Sequence, residues 1–391
     1  MSMINWKEEA AGIAEELKEI RKTIHRHPEI GNREYKTSAL VEEYLQELGI
    51  KTRRVLGTAI IGELAGSKDG PVVALRADMD ALPVQERTGC DFSSEVPGMM
   101  HACGHDVHTT ALLGAAKLLA LHKEDLPGTV RFFFQPDEEG DGGAQRMIRE
   151  GCMENVSAVF GAHVDPTIPA GQIGIRYGKF YAASDSMDVF VHGKSAHGAT
   201  RELGIDAIEA SCKMIPELLK LPEILLPEKS ALSIGAIRAG TVRNIVADYA
   251  EFHGIIRTLG RDSRQKLLDA LKEKLTRISD EAGTRIELVL NQPGSGIVNT
   301  DPETKLCEKT AVSLLGKDHI VMIKEPKMIS EDFGFFVEEC GAGCFYHIGA
   351  ESPYPLHSDH FLPAEEGLEV GAALHAAIAM EYLKERENQE L

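Results

Sequence analysis

The chain has 391 residues, 43% of them hydrophobic and 26% charged, and a formal net charge of −19. That length exceeds what one hydrophobic core usually serves, since cores split beyond ~250–300 residues, so two domains are expected. The acidic balance speaks against a nucleic-acid-binding protein, which needs a basic footprint, and no window approaches the about 18 consecutive apolar residues of a membrane span.

The opening stretch "MSMINWKEEAAGIAEELKEI" has no apolar signal-peptide core and reads as an amphipathic helix. Ile13, Leu17, Ile20 and Ile24 line one stripe, and Pro28 ends it. His25 and His27 of "HRHPE" read as the cap of this surface helix. Seven scattered cysteines with no secretory signal read as reduced thiols in a cytoplasmic protein. A second helix near 37–48 closes on Gly49. "TAIIGEL" and "PVVALRAD" are strand-like, "VHTTALLGAAKLLALH" has a helical period, and "TVRFFFQ" and "SAVFGAH" are again strands. This alternation predicts a helix-flanked, mainly parallel sheet.

The character changes after Tyr181. "SMDVFVHG", a helix over "IDAIEASCKMIPELLKL" kinked at Pro216, and strands "SALSIGAIRAG" and "IVADYAEFHGIIRTL" come first. A long helix ended by Gly283 and the strand "TRIELVLN" complete a β-α-β-β-α-β unit of ferredoxin-like type. The first pattern resumes after Asp301 and closes on the helix "LPAEEGLEVGAALHAAIAMEYLKER". The expected organisation is a catalytic α/β domain in two parts, 1–181 and 297–391, interrupted by an α+β lid or dimerisation domain at 182–296.

Candidate chemistry gathers at strand ends. In "MMHACGHDVHTT", Cys103 and His105 flank a glycine in a turn before a helix, where both side chains can meet one centre. Thiolate and imidazole suit zinc or another borderline transition ion, the alternative being a buried cysteine beside a capping Asp. "FFFQPDEEGDGG" sets Asp137, Glu138 and Glu139 at a strand's C-terminal end, where open α/β sheets bind ligands. One Glu can ligate while its neighbour faces a water; by itself the stretch also fits a solvated acidic loop. His163 of "VFGAHVDP", His357 and His360 of "YPLHSDHF", and Arg76, Asp78 and Asp80 of "ALRADMDALP" add three more such loops. Together they predict a metal-binding sheet edge. Met99, Met100, Cys340 and Cys344 read as packing residues.

The ordered set "RADMDALP", "MHACGHD", "QPDEEG", "GAHV", "SEDF" and "LHS" resembles the M20 metallopeptidases, most of all the amidohydrolase branch that acts on N-acyl amino acids. The resemblance spans essentially the whole chain. It implies two divalent metal ions per subunit (Zn, Mn, Ni or Co) held by Cys103, His105, Glu139, His163 and His357, with Glu138 as general base and Asp80 close to the ligands. It also implies a catalytic His197 in "GKSAHGA", substrate-binding Asn244 in "GTVRNIV" and Arg257 in "IIRTL", and a homodimer or higher oligomer through the lid. The implied partner is a small N-acyl amino acid. A dipeptidase or carboxypeptidase, or a non-catalytic metal-bound amino-acid sensor, are the alternatives. The chain departs from the family pattern at Asp137, where Ala is usual, and at "HSDHF", where an Arg gives way to Asp359 and His360.

Overall fold

The opening amphipathic stretch forms two helices, α1 (Trp6–Gly12) and α2 (Ala14–Arg26), in a computed structural model that describes residues 4–390. The break falls at Ile13, next to Gly12, a residue that weakens a helix interior by about 1 kcal/mol relative to Ala. α2 buries Leu17 and Ile24 as its stripe requires, but it also buries Arg21 and His25. His25 is therefore no surface cap. It turns inward because buried carboxylates await it, and sequence period alone does not show those partners.

α3 (Tyr35–Glu47) starts where the Glu29 carboxylate accepts the backbone N–H groups of Lys36 and Thr37. Next come β1 (Lys51–Val55), β2 (Ala59–Ala65), β3 (Val72–Asp78), α4 (His105–Leu121), β4 (Thr129–Gln135), α5 (Gly143–Arg149), β5 (Val156–Asp165) and β6 (Ile173–Ile175). β1 is a charged, mostly exposed edge strand, "KTRRV", whose lack of apolar alternation hides it in the sequence. The chain continues through β7 (Gly178–His192), α6 (Ala207–Leu219), α7 (Leu221–Leu225), β8 (Ala231–Ala239), β9 (Tyr249–Thr258), α8 (Arg261–Ala282) and β10 (Arg285–Asn299). It ends with α9 (Asp301–Leu315), β11 (Ile320–Met322), α10 (Gly334–Cys340), β12 (Gly343–Gly349) and α11 (Glu366–Glu390).

Two compact units result. The first takes the chain up to Phe180, Val298–Glu325 and the chain from Asp332 onward; the second takes Tyr181–Ile297 and the short segment Pro326–Glu331. The first unit holds an eight-stranded sheet in the order β1-β2-β4-β3-β5-β12-β6-β11. Its centre, β4-β3-β5-β12, is parallel throughout, so Gln135, Asp78 and His163 come out at one edge. Parallel strands covered on both faces carry continuous apolar runs, and Phe132, Phe133 and Phe134 are all fully buried. The second unit has a four-stranded sheet, β10-β7-β9-β8, with α6 and α8 packed together on its core residues. Pro216 lies inside α6, three residues before its last residue, Leu219, so the helix continues past it. The chain thus forms the expected helix-flanked sheet with an α+β insertion. No helix among the described residues is long and apolar enough to cross a membrane.

On the sheet of the first unit α4 and α11 approach closely at Gly114, where a Cβ would lie 2.7 Å from the Ala372 Cβ and 3.1 Å from Leu17. Gly114→Val should therefore lower stability by roughly 1–3 kcal/mol, as overpacking does. The measurement is the urea midpoint at constant m-value; an unmoved midpoint would contradict the close approach.

Candidate active site

The site of the first unit grows from the end of β3. Asp78 is fully buried and accepts hydrogen bonds from Arg76 Nη1 at 2.7 Å and His108 Nδ1 at 2.6 Å. Burial opposes its charge, yet His105, Arg76 and His108 hold its carboxyl well below the usual range. The Val164 N–H donates to His108 Nε2 at 2.9 Å, so the proton of this imidazole sits on Nδ1, facing Asp78. Arg76 reaches further, to Gln135 Oε1 at 2.8 Å and Asp332 Oδ1 at 3.0 Å. Asp332 also accepts from Gln135 Nε2 and from the Ala144 N–H at the start of α5.

α4 delivers the next donors. Gly104 sits before it with φ 87°, and a Cβ there would lie 2.5 Å from Val164 Cγ2, so the turn between Cys103 and His105 requires glycine. His105 Nδ1 lies 3.3 Å from Asp80 Oδ1, and its Nε2 is buried with no hydrogen-bond partner among the described residues. Burial works against protonation of His105, but Asp78, Asp80 and Glu139 outweigh it and push its pKa up to about 10. Such a cluster demands positive charge.

His163 donates from Nδ1 to the Val164 carbonyl at 2.7 Å, which leaves Nε2 as a lone pair 3.4 Å from Cys103 Sγ. Burial and the neighbouring His108 hold His163 neutral. His357 Nε2 lies 3.3 Å from the same sulfur and 3.0 Å from Glu139 Oε1. Its backbone is left-handed, φ 66°, and its N–H donates to Ala102 O at 2.8 Å, which ties the two loops together. The Cys103 thiol is pushed well up by burial and by Glu139 and Glu138. Two donor triads follow, Cys103–His105–His163 and Cys103–Glu139–His357, each with its ligand atoms within 4.8 Å of one another; His105–Glu138–Glu139 forms a third. The sulfur, nitrogen and oxygen set, the orphaned His105 Nε2 and the excess of buried carboxylates all fit divalent transition ions. Asp80, besides touching His105, accepts the Glu139 N–H at 3.0 Å.

Several participants gain their role only through partners distant in the chain. His108 and Asp332 act through hydrogen bonds across strands, and Arg21, His25 and Asp106 form a buried network behind α4. Arg21 Nε and His25 Nδ1 both donate to Asp106 Oδ2, at 3.1 and 2.8 Å, and His25 Nε2 lies 3.3 Å from Glu86 Oε1. At the outer loop, Asp359 pairs with His360 Nδ1 at 2.6 Å while its carbonyl accepts the Arg87 N–H at 2.7 Å.

The second unit brings His197 and Asn244 side by side, since the Gly198 N–H donates to Asn244 O at 2.8 Å and His197 bridges to Ile245. Both are exposed. His197 Nδ1 accepts the Ala199 N–H at 3.1 Å, which puts the imidazole proton on Nε2. Arg257 stands on β9 between Ser184 of β7 and Ala231 of β8, and its buried Nη1 finds no partner among the described residues.

Residues 74–381 match the sequence profile of peptidase family M20/M25/M40. Thermostable carboxypeptidase 1 of Saccharolobus solfataricus is 36% identical over 387 residues, 96% of this chain and 98% of that one. N-acetylcysteine deacetylase of Bacillus subtilis is 34% identical over 365 residues, 92% and 95% of the two chains. The crystal structure of a dinuclear metal binding peptidase of the M20 family from Bacillus subtilis superposes with a TM-score of 0.84 at 32% identity, covering 96% of this chain and 99% of that one.

The His25 network makes a pH prediction. Burial lowers the His25 pKa, but Asp106 and Glu86 outweigh it and raise it to about 9. An unfolded imidazole titrates near ~6.5, so the stabilisation is complete below that pH and is lost as pH rises through about 9. In urea unfolding, the advantage of wild type over His25→Gln should shrink across this window; a gap independent of pH would contradict the ion pairing.

Proposed function

The chain belongs to peptidase family M20/M25/M40, and on that premise we propose that it hydrolyses the amide bond of N-acyl amino acids, releasing a carboxylate and a free amino acid. The observation that carries the reading is the pair of donor triads sharing Cys103, with Glu138 next to the ligand candidate Glu139. Cys103, His105, Glu139, His163 and His357 would hold two divalent ions, with Zn, Mn, Ni and Co all compatible with such mixed donors. Bound there, the ions would supply Lewis acidity and lower the pKa of a water toward ~7.

Glu138 takes the proton of the attacking water and returns it to the leaving amine nitrogen. Asp80 orients the site from both sides, through His105 Nδ1 and the Glu139 N–H. His197, with its proton on Nε2, is the donor assigned to the carbonyl oxygen as it gains negative charge; one such donor is worth about 3–4 kcal/mol elsewhere. Asn244 and Arg257 are assigned to the substrate. The Nη1 of Arg257, which has no partner among the described residues, suits the carboxylate that every N-acyl amino acid carries. A carboxypeptidase would break the same kind of bond beside the same carboxylate, and the carboxypeptidase relative makes it the second reading.

We also assign the protein to the cytoplasm, supported by seven unpaired cysteines. A homodimer through the second unit is supported by β8, an edge strand of its sheet, with Ile237 49% exposed and Val242, just beyond the strand, 54% exposed.

The test is amine release from a panel of acetyl, benzoyl and indole-acetyl amino acids with simple dipeptides alongside, with metal and with chelator. Metal-dependent release from the acylated set is expected; release from dipeptides alone would shift the reading to a peptidase. Glu138→Gln should keep its metal yet lose about 10²–10⁴ in kcat, the usual worth of a general base. Retention of more than about a tenth of kcat would remove Glu138 from that role. His197→Ala should lower kcat at unchanged metal content.

A further inference from the structure

Glu138 must keep its carboxylate in place while it takes and returns a proton, and its backbone is held on both sides. Behind it, the Glu139 N–H donates to Asp80 Oδ2 at 3.0 Å; ahead of it, the Asp137 N–H donates to Glu34 Oε1 at 3.0 Å. The residues flanking the base are thus each tied to a buried carboxylate from a different segment. Glu34 is fully buried in the turn between α2 and α3. The same Oε1 accepts the Asn32 N–H at 3.0 Å, so one oxygen fixes two residues, Asn32 at φ 64° and Asp137 at φ 60°. Non-glycine residues seldom occupy that left-handed region, and they stay there only when their surroundings over-determine them.

The anchor is itself tied to its surroundings. The Ala81 N–H donates to Glu29 O at 2.8 Å, which docks the start of the Glu34 turn onto the segment that carries Asp80. The Asp137 carboxylate accepts from Arg146 Nη1 at 3.1 Å and occupies the space where a Cβ on Gly31 or Gly140 would stand. Burial pushes the Glu34 pKa up to about 7, so the fold bears a desolvation cost to keep this group inside.

We propose that Glu34 is a positioning residue for Glu138: its Oε1 locks the left-handed turn at Asp137 that aims the general base. The inference rests on the amidase reading. Releasing the Asp137 N–H lets the turn relax and carries Glu138 away from its place, and a misplacement of about 1 Å can cost up to ~10²-fold in rate.

The test compares metal-loaded wild type, Glu34→Gln, Glu34→Asp and Glu34→Ala for kcat, KM, bound metal and melting temperature, with Glu138→Gln in the same series. Gln keeps an acceptor oxygen in reach and should stay within about threefold of wild-type kcat. Asp withdraws the acceptor by one methylene and Ala removes it; both should lose about 10–10²-fold in kcat at unchanged KM and metal content. Wild-type kcat in Asp or Ala, a Gln variant as slow as Asp, or a loss that follows metal content or folded fraction would overturn the proposal. Should Ala not fold, the Gln and Asp pair decides. An inactive wild type sinks the amidase reading and this role together; an active wild type with a dead Glu138→Gln and unaffected Glu34 variants sinks this role alone.

Discussion

The carboxylate of Asp78, buried at the end of the central strand β3, is the interaction on which the site depends. It takes hydrogen bonds from Arg76 and His108, and each of those extends the network to another element. Arg76 fixes Gln135 at the end of β4 and Asp332 before α10; Asp332 fixes the first turn of α5; His108 fixes the backbone of β5 directly after His163. Buried hydrogen bonds, most of them to Arg76 or to a carboxylate, thereby link the ends of β3, β4 and β5 in addition to the ladders that pair these strands. Removing one partner of such a buried ionic set commonly costs about 3–5 kcal/mol, because the other charge is left uncompensated.

The same network explains why the site has the character of a cation trap. Arg76 and His108 both donate to Asp78, yet Asp78, Asp80 and Glu139 still surround His105 and, against its burial, drive its pKa up to about 10. Cys103, by contrast, is held in its thiol form by burial and by nearby carboxylates. A divalent ion supplies what both need at once: positive charge for the carboxylates and a reason for the thiol to ionise. The second unit carries a different set of groups, the exposed imidazole of His197 with its proton on Nε2 and the half-buried guanidinium of Arg257.

The chemistry-bearing motifs were legible because each packs its donors into a few residues of one loop or turn. "ACGHD" carries a thiol, a required left-handed glycine and an imidazole in one turn, and "PDEEG" sets two carboxylates directly after a run of buried phenylalanines. The sheet and its insertion were legible from period alone. What stayed hidden depends on distant partners. His25 has the spacing of a helix cap, and only Asp106 and Glu86, far along the chain, pull it inside. His108 lies on an apolar helix face and gains its role from Asp78 and Val164. Glu34 looks like an ordinary surface acid at the head of a helix, and its partner is a backbone N–H about a hundred residues away. β1 escaped notice because an exposed edge strand needs no apolar alternation.

Cys103 stands in both donor triads, so its thiolate would be a ligand when divalent ions are held there. Titration of the metal-free protein with cobalt(II), followed by thiolate-to-metal charge-transfer absorption, tests it most directly. The account predicts saturation at two equivalents with a thiolate band that Cys103→Ala abolishes. Saturation at one equivalent, or a spectrum with no thiolate band, would contradict it.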